Sequence, residues 1–230
     1  MLNSVLFICI LFFSFSSTCL NANPSTEETP WSDYYQNTRH FTRQEKTLSL
    51  ALTFFKDENK TVGRAADLGA GTGRDTLFLL NKGWHVLALD ETTMAIDIIR
   101  KRTPSNLLKN LTTTTQPFSE MSLPKNLDLI NASNSLPFCH PNDFPACWNG
   151  IVNSLAPSGR FCGQFFGTED DWADNPNLTC LSLNDVLNLF QDDFEIEYFD
   201  EEKEFDLRND GSLKHWHIYH IVARLRGSAP

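Results

Sequence analysis

Apolar and polar positions along this chain switch between two periods. Past residue 60, short apolar runs bounded by glycine or polar clusters alternate with segments of helical spacing. An apolar run opens near Thr61 and leads into Asp67. Gly83-Trp84-His85-Val86-Leu87-Ala88-Leu89-Asp90 has the unbroken apolar pattern of a strand covered on both faces, while Leu111–Gln116, rich in β-branched Thr, Leu127–Ser133 and Phe161–Gly167 read as further strands. Between them, Asp75–Leu80, Met94–Arg102, Asn142–Leu155 and Leu183–Phe190 carry helical spacing. Phe194–Phe199 alternates as a half-buried strand does, and Lys214–Arg224 supplies a last strand. Ahead of the first strand, Trp31–Phe55 reads as helical, its apolar face carried by Leu48, Leu50, Ala51, Leu52, Phe54 and Phe55. Strands that alternate with helices predict an α/β domain with a largely parallel sheet.

Length and charge narrow this picture. A chain of 230 residues suits one domain, and 41% hydrophobic residues, 18 of the total being Phe, suffice for a sizeable core. The net charge of −10 argues against a nucleic-acid surface, which needs a basic patch. Asp200-Glu201-Glu202-Lys203-Glu204 is the densest charged run and reads as a solvated strand end or loop. The chain begins differently: Val5–Phe15 is almost wholly apolar, the length of a signal-peptide core rather than of a membrane span. We therefore expect a leader over 1–22, a linker over 23–30 and one domain over 31–226. The compartment stays open between export, if the leader is a true signal peptide, and the cytoplasm. Outside the leader, Cys139, Cys147, Cys162 and Cys180 remain. Cys139 and Cys147, both near loops, are the pair to suspect if any bridge forms.

The chemistry concentrates in Asp67-Leu68-Gly69-Ala70-Gly71-Thr72-Gly73-Arg74. Strand, glycine-rich turn and helix follow one another here, a context that brings backbone N–H groups up to a ligand. A dinucleotide fingerprint needs its third glycine or alanine one place later, where this chain has Arg74. Asp90 closes the next strand, 17 residues after Gly73, close to the spacing of an acidic ribose ligand. It could instead cap the following turn through Asp90-Glu91-Thr92-Thr93. His215 and His217 share a strand face and His220 lies on the other; a structural role is favoured, with an acceptor-pocket role open.

The segment Asp67–Gly73 resembles motif I of the class I S-adenosylmethionine (SAM) methyltransferases. Gly83-Trp84 leading to Asp90, Leu136-Pro137-Phe138-Cys139, Gly159-Arg160-Phe161 leading to Gln164-Phe165-Phe166-Gly167, and His215-Trp216-His217 extend the likeness. Together they are similar to a small-molecule branch of that class, broadly like the tellurite-resistance-type enzymes, over about Trp31–Leu225. The resemblance implies a Rossmann-like, doubly wound seven-stranded sheet whose last strand is antiparallel, with SAM as cofactor and a small molecule as methyl acceptor. It implies that Gly69, Ala70, Gly71 and Gly73 approach the amino-acid part of SAM, with Asp67 near its ammonium group. Asp90, with Glu91 beside it, would hold the ribose, and Glu120 and Met121 the adenine. Asn131 would sit near the reacting methyl group. Tyr35 would sit in a leading lid helix, or Trp31 and its neighbours simply pack on the sheet edge. Asn134-Ser135-Leu136-Pro137-Phe138 lacks the Asn/Asp-Pro-Pro-aromatic motif of enzymes that methylate base amino groups. No catalytic side chain is singled out and no metal is expected. The alternatives are an exported SAM-fold binding protein without catalysis, or a NAD-dependent oxidoreductase.

Overall fold

Strand and helix alternate along the chain as the apolar pattern predicts. The computed structural model describes Trp31, Tyr35, residues 45–207 and residues 212–227. The leader, the linker and most of the first half of the predicted Trp31–Phe55 helix lie outside these residues.

Helix α1 (Lys46–Asp57) precedes β1 (Arg64–Leu68), α2 (Arg74–Asn81), β2 (His85–Asp90), α3 (Thr93–Arg102) and β3 (Leu111–Thr115). The second half runs β4 (Leu127–Ala132), α4 (Phe144–Ser154), β5 (Leu155–Gly167), β6 (Cys180–Leu181), α5 (Leu183–Phe190), β7 (Phe194–Leu207) and β8 (Leu213–Leu225). The sheet order is β3-β2-β1-β4-β5-β8-β7, with short β6 paired to β5 off this path. Strands β1 to β5 pair in parallel, and β8 is antiparallel to both β5 and β7. This is the expected doubly wound sheet with its last strand reversed, except that β6 adds an eighth strand to the seven expected. Strand order turns back between β1 and β4, which opens a crevice at their carboxyl ends. Among the described residues, no helix is long and apolar enough to cross a membrane.

The core divides across the sheet. On one face Trp148 of α4 meets Phe161, Phe165, Phe190 and Phe194, with ring centroids 5.1–6.1 Å apart. On the other, α1 and α2 bury Leu48, Ala51, Phe55, Leu79 and Leu80 with Trp84. Such rings prefer tilted or edge-on contacts, and most of these pairs adopt them.

The acidic run 200–204 is neither a loop nor a strand end. It lies inside β7, which pairs with β8 from Phe194↔Leu225 out to Leu207↔Leu213. Strand β7 is an edge of the sheet, and its charges discourage pairing with another chain.

Arg160 ties this half to α1. Its side chain is 1% exposed, and its guanidinium donates to Glu58 (3.0 and 2.8 Å) and Glu197 (2.6 and 2.7 Å) while lying 4.4 Å from the Phe55 ring centre. Arg160→Met removes both forks and leaves Glu197 without its partner. The expected loss is about 2–4 kcal/mol, because removing one partner of a buried pair is costly and water can still reach Glu58. Chemical denaturation of the variant against the parent measures it.

Candidate cofactor site

The turn from β1 to α2 is built by close approach. Gly69, Gly71 and Gly73 all adopt positive φ. At Gly69 a Cβ would lie 2.4 Å from the Ser135 Cβ, because the chain leaving β4 packs directly on the turn. Ser135 secures that approach by donating its hydroxyl to the Leu68 carbonyl at 2.6 Å. At Gly73, which caps α2 with φ +82°, a Cβ would meet Ile99 of α3 at 2.7 Å. Both positions are therefore closed to any larger residue.

Beneath the turn lies a buried polar network. Asp67 accepts from Thr76 Oγ1 at 2.5 Å and from Asn131 Nδ2 at 2.8 Å. Asn131 Nδ2 also reaches Asp75, which accepts from Arg74 at 3.0 and 3.2 Å. Arg74 pairs in turn with Glu45, which also accepts from Asn134 Nδ2. The Asn131 carbonyl oxygen accepts from Ser133 Oγ and from the Cys162 thiol. Gln164 joins the Asn134 backbone to Thr47 of α1. Burial first, and the Asp75 charge second, push Asp67 up to about 7.

This network engages two of the expected site residues. Asp67 is 2% exposed and both its oxygens are held by protein donors, so it supports the turn from below. Asn131 is fully buried with donors and acceptor engaged, and the side chains at the crevice end of β4 are the half-buried Ser133 and Asn134. Neither burial could be read from a strand-end position alone.

Asp90 stands where predicted, at the end of β2. Its Oδ2 accepts from the Gly71 N–H at 2.9 Å, and Oδ1 accepts from the Thr92 N–H and hydroxyl, both at 3.0 Å. The two readings offered for Asp90 are compatible: the carboxylate shapes the turn into α3, whose cap is Thr92, and also faces the glycine turn. The Tyr35 hydroxyl donates to both oxygens at 3.1 and 3.2 Å. Burial, and next the Asp90 charge, raise the Tyr35 pKa far above its usual range, so the phenol stays a donor. Beside it the Trp31 indole N–H donates to Glu91 at 2.6 Å, and its ring meets Phe138 edge-on at 4.8 Å. Trp31 and Tyr35 thus span the crevice from the end of β2 to the segment after β4.

On the adenine side the expected residues divide differently. Glu120 is exposed, and the Met121 methyl points towards Gly150 of α4, 3.6 Å from a Cβ placed there. Phe118, two residues earlier, is the side chain that faces the turn, 3.7 Å from a Cβ at Gly69. It lies just ahead of Glu120 and Met121, in a stretch whose sequence pattern gives no facing direction.

Past Phe138 an aromatic wall continues through Phe166, Trp172 and Trp216, with neighbouring centroids 5.2–6.4 Å apart. The buried Lys214 ammonium lies 4.3 and 3.9 Å from the two tryptophan ring centres and pairs with buried Asp170. Asp170 also receives the His217 N–H, which pins the 168–177 loop to β8. The histidines are structural here. His217 Nδ1 accepts from the Glu169 N–H, so Nε2 carries the proton towards Glu201, 2.9 Å away. His220 faces Glu202, and His215 Nδ1 meets the Glu169 carbonyl. No group of three or more His, Cys, Asp or Glu among the described residues is arranged to hold a metal ion.

Fold and crevice together define a class. Residues 65–159 match the methyltransferase domain family, and the fold is that of solved SAM-dependent methyltransferases. Among solved structures it is similar to TehB from Haemophilus influenzae (16% identity, TM-score 0.68), over 84% of this chain and 66% of that one, just under two thirds of its length. It is also similar to a SAM-dependent methyltransferase from Methanosarcina mazei (18%, 0.58; 76% of this chain, 98% of that one). A third is the glycopeptide N-methyltransferase MtfA in complex with SAM (18%, 0.55; 78% and 94%). No curated protein matches the chain.

The raised Asp67 pKa carries a stability signature. Its folded value lies above the reference of 3.8, so the folded state holds the extra proton. That contribution is fully present below about pH 4 and is lost as pH rises through about 7. Asp67→Asn keeps an acceptor for Asn131 and removes the titration. Thermal unfolding across this window is expected to show a parent Tm that falls with rising pH relative to the variant.

Proposed function

We propose that this protein binds SAM along the β1/β4 crevice and transfers its methyl group to a small-molecule acceptor. Asp90 carries the reading: a buried carboxylate at the end of β2, hydrogen-bonded to the glycine turn itself. A carboxylate so placed accepts from both hydroxyls of a ribose, and the Gly69 surface, where a Cβ would collide, admits a ligand against bare backbone. SAM supplies a methyl group already activated on a sulfonium sulfur.

The residues then divide the work. Gly69, Ala70, Gly71 and Gly73 shape the cradle for the amino-acid part, with Asp67 in the buried network beneath them. Asp90 and Glu91 orient the ribose. Phe118 packs at the adenine side with Glu120 and Met121 beside it. Ser133, Asn134 and Phe138 border the acceptor side, with Asn131 bracing Ser133 from behind. Methyl transfer from a sulfonium asks chiefly for two reactants held at near-attack distance in a dry site. The aromatic wall of Trp31, Phe138 and Trp172 suits that task. A base is required only when the acceptor must lose a proton. The acidity of the chain and the missing base-methylation motif support a small acceptor over a nucleic acid. Arg74 speaks against the oxidoreductase alternative: its guanidinium, paired with Glu45 and Asp75, fills the position where a dinucleotide fold needs a small residue. We read residues 31–226 as the catalytic domain, behind a leader over 1–22 that exports the chain and a linker over 23–30.

Calorimetric titration with SAM, S-adenosylhomocysteine and NAD tests the reading. Saturable binding of the adenosyl ligands, weakened at least about tenfold in Asp90→Ala, is expected, since lost charge-assisted hydrogen bonds are worth about 1.5–3 kcal/mol. Binding of NAD alone, or no binding, contradicts it. Methyl transfer to any compound in an acceptor screen would separate the enzyme from the non-catalytic alternative.

Tyr35 allows a second check. Its hydroxyl occupies the oxygens that we assign to the ribose, so it must withdraw as the ligand enters. Tyr35→Phe removes that competitor while keeping the ring, and S-adenosylhomocysteine is expected to bind several-fold more tightly. Weaker binding would make the hydroxyl a ligand contact instead.

A further inference from the structure

One buried carboxylate at the crevice is only half used. Glu45 stands at the N-cap of α1, yet its side chain caps nothing there. The first turn is closed by its backbone carbonyl, which accepts the Ser49 N–H at 3.2 Å. Its carboxylate reaches two other elements instead: Oε1 meets Arg74 Nη1 at 3.1 Å and accepts from Asn134 Nδ2 at 3.2 Å. Oε2 takes no hydrogen bond from any described residue, although the side chain is only 8% exposed.

These contacts place Glu45 between the two lips of the cradle. Arg74 follows Gly73 directly, and Asn134 precedes Ser135, which packs on Gly69. Asn134 is held there in a left-handed backbone (φ +52°), a conformation asparagine tolerates, with its N–H on Gln164 at 2.9 Å. The other buried carboxylates of the crevice have both oxygens engaged. Asp67 is held by Thr76 and Asn131, Asp75 by Arg74 and Asn131, and Asp90 by Gly71, Thr92 and Tyr35. Charge is unbalanced as well, since Arg74 is one cation shared by two carboxylates, Glu45 and Asp75. Burial, opposed by Arg74, accordingly holds the Glu45 pKa above its usual range. A buried carboxylate with an unused oxygen and too little positive charge beside it favours a cationic donor.

We propose that Glu45 receives the α-amino group of SAM on Oε2 and thereby selects ligands that carry that group. The inference rests on the SAM reading. It moves the ammonium partner from Asp67, whose oxygens are both engaged by protein donors, to Glu45. The ammonium group donates to Oε2 and balances the second carboxylate on Arg74, while Arg74 and Asn134 hold Oε1 in place.

Calorimetric titration of the full chain with S-adenosylhomocysteine and with its deaminated analogue, in which hydrogen replaces the amino group, tests this. The parent and Glu45→Gln are compared; glutamine keeps an oxygen for Arg74 and Asn134 and loses the charge. In the parent, the analogue is expected to bind at least about tenfold more weakly than S-adenosylhomocysteine. In Glu45→Gln, S-adenosylhomocysteine is expected to bind about as weakly as the analogue, and the analogue as it does to the parent. Equal weakening of both ligands in the variant would make Glu45 a brace of the turn and overturn the proposal. Equal affinity of the two ligands for the parent, or unchanged S-adenosylhomocysteine binding in the variant, would overturn it too. If Glu45→Gln does not fold, Glu45→Asp takes its place; it keeps the charge but retracts it by one methylene, and the same selective weakening is expected. A parent that binds neither ligand would overturn the SAM reading and this proposal together. A parent that binds S-adenosylhomocysteine leaves that reading standing whichever way the variant falls.

Discussion

A carboxylate buried at the end of a parallel strand is unstable unless donors meet it, and Asp67 draws its donors from two other elements. Thr76 comes from α2 and Asn131 from β4, while Asn131 is fixed from β5 by Cys162. Through Asp75, Arg74 and Glu45 the same network reaches the start of α1. Strands β1, β4 and β5, helix α2 and the start of α1 are therefore tied together by one side-chain network. The turn above this network keeps its positive-φ glycines in place, and Gly71 presents its N–H to Asp90. Disturbing the buried carboxylate would loosen the very surface on which a ligand is to rest.

The crevice is consequently rigid from below and covered from above by contacts of another kind. Trp31 reaches Glu91 by its indole N–H and Phe138 through a ring edge, and the Tyr35 hydroxyl donates to both oxygens of Asp90. Contacts of this kind can be exchanged for equivalent ones with a ligand at small cost, whereas the Asp67 network cannot. A fixed floor with an exchangeable cover is what a site needs if it must admit a cofactor and then exclude water.

Much of this was legible in the chain because parallel strands buried on both faces read as unbroken apolar runs. Val86–Leu89 and Leu127–Ile130 fall in strands as expected, and the glycine spacing together with Asp90 pointed to the crevice. What the pattern could not show was depth. Asn131 and Asp67 read as strand-end residues, and the pattern could not show that they hydrogen-bond to each other across 64 residues or that Cys162, 31 residues on, holds Asn131. Phe118 was missed because a segment without periodicity gives no facing direction. The 200–204 run looked like a loop because charge hides strand character, and only its pairing with β8 reveals a strand.

The central claim is that Asp90 receives a ribose in the place now taken by the Tyr35 hydroxyl. A crystal structure with S-adenosylhomocysteine bound tests it most directly. The account predicts both ribose hydroxyls within hydrogen-bond distance of Asp90, the amino-acid part over Gly69–Gly73, and the Tyr35 hydroxyl withdrawn from the carboxylate. A ligand bound elsewhere, or one seated in the crevice while Tyr35 still holds Asp90, would contradict it.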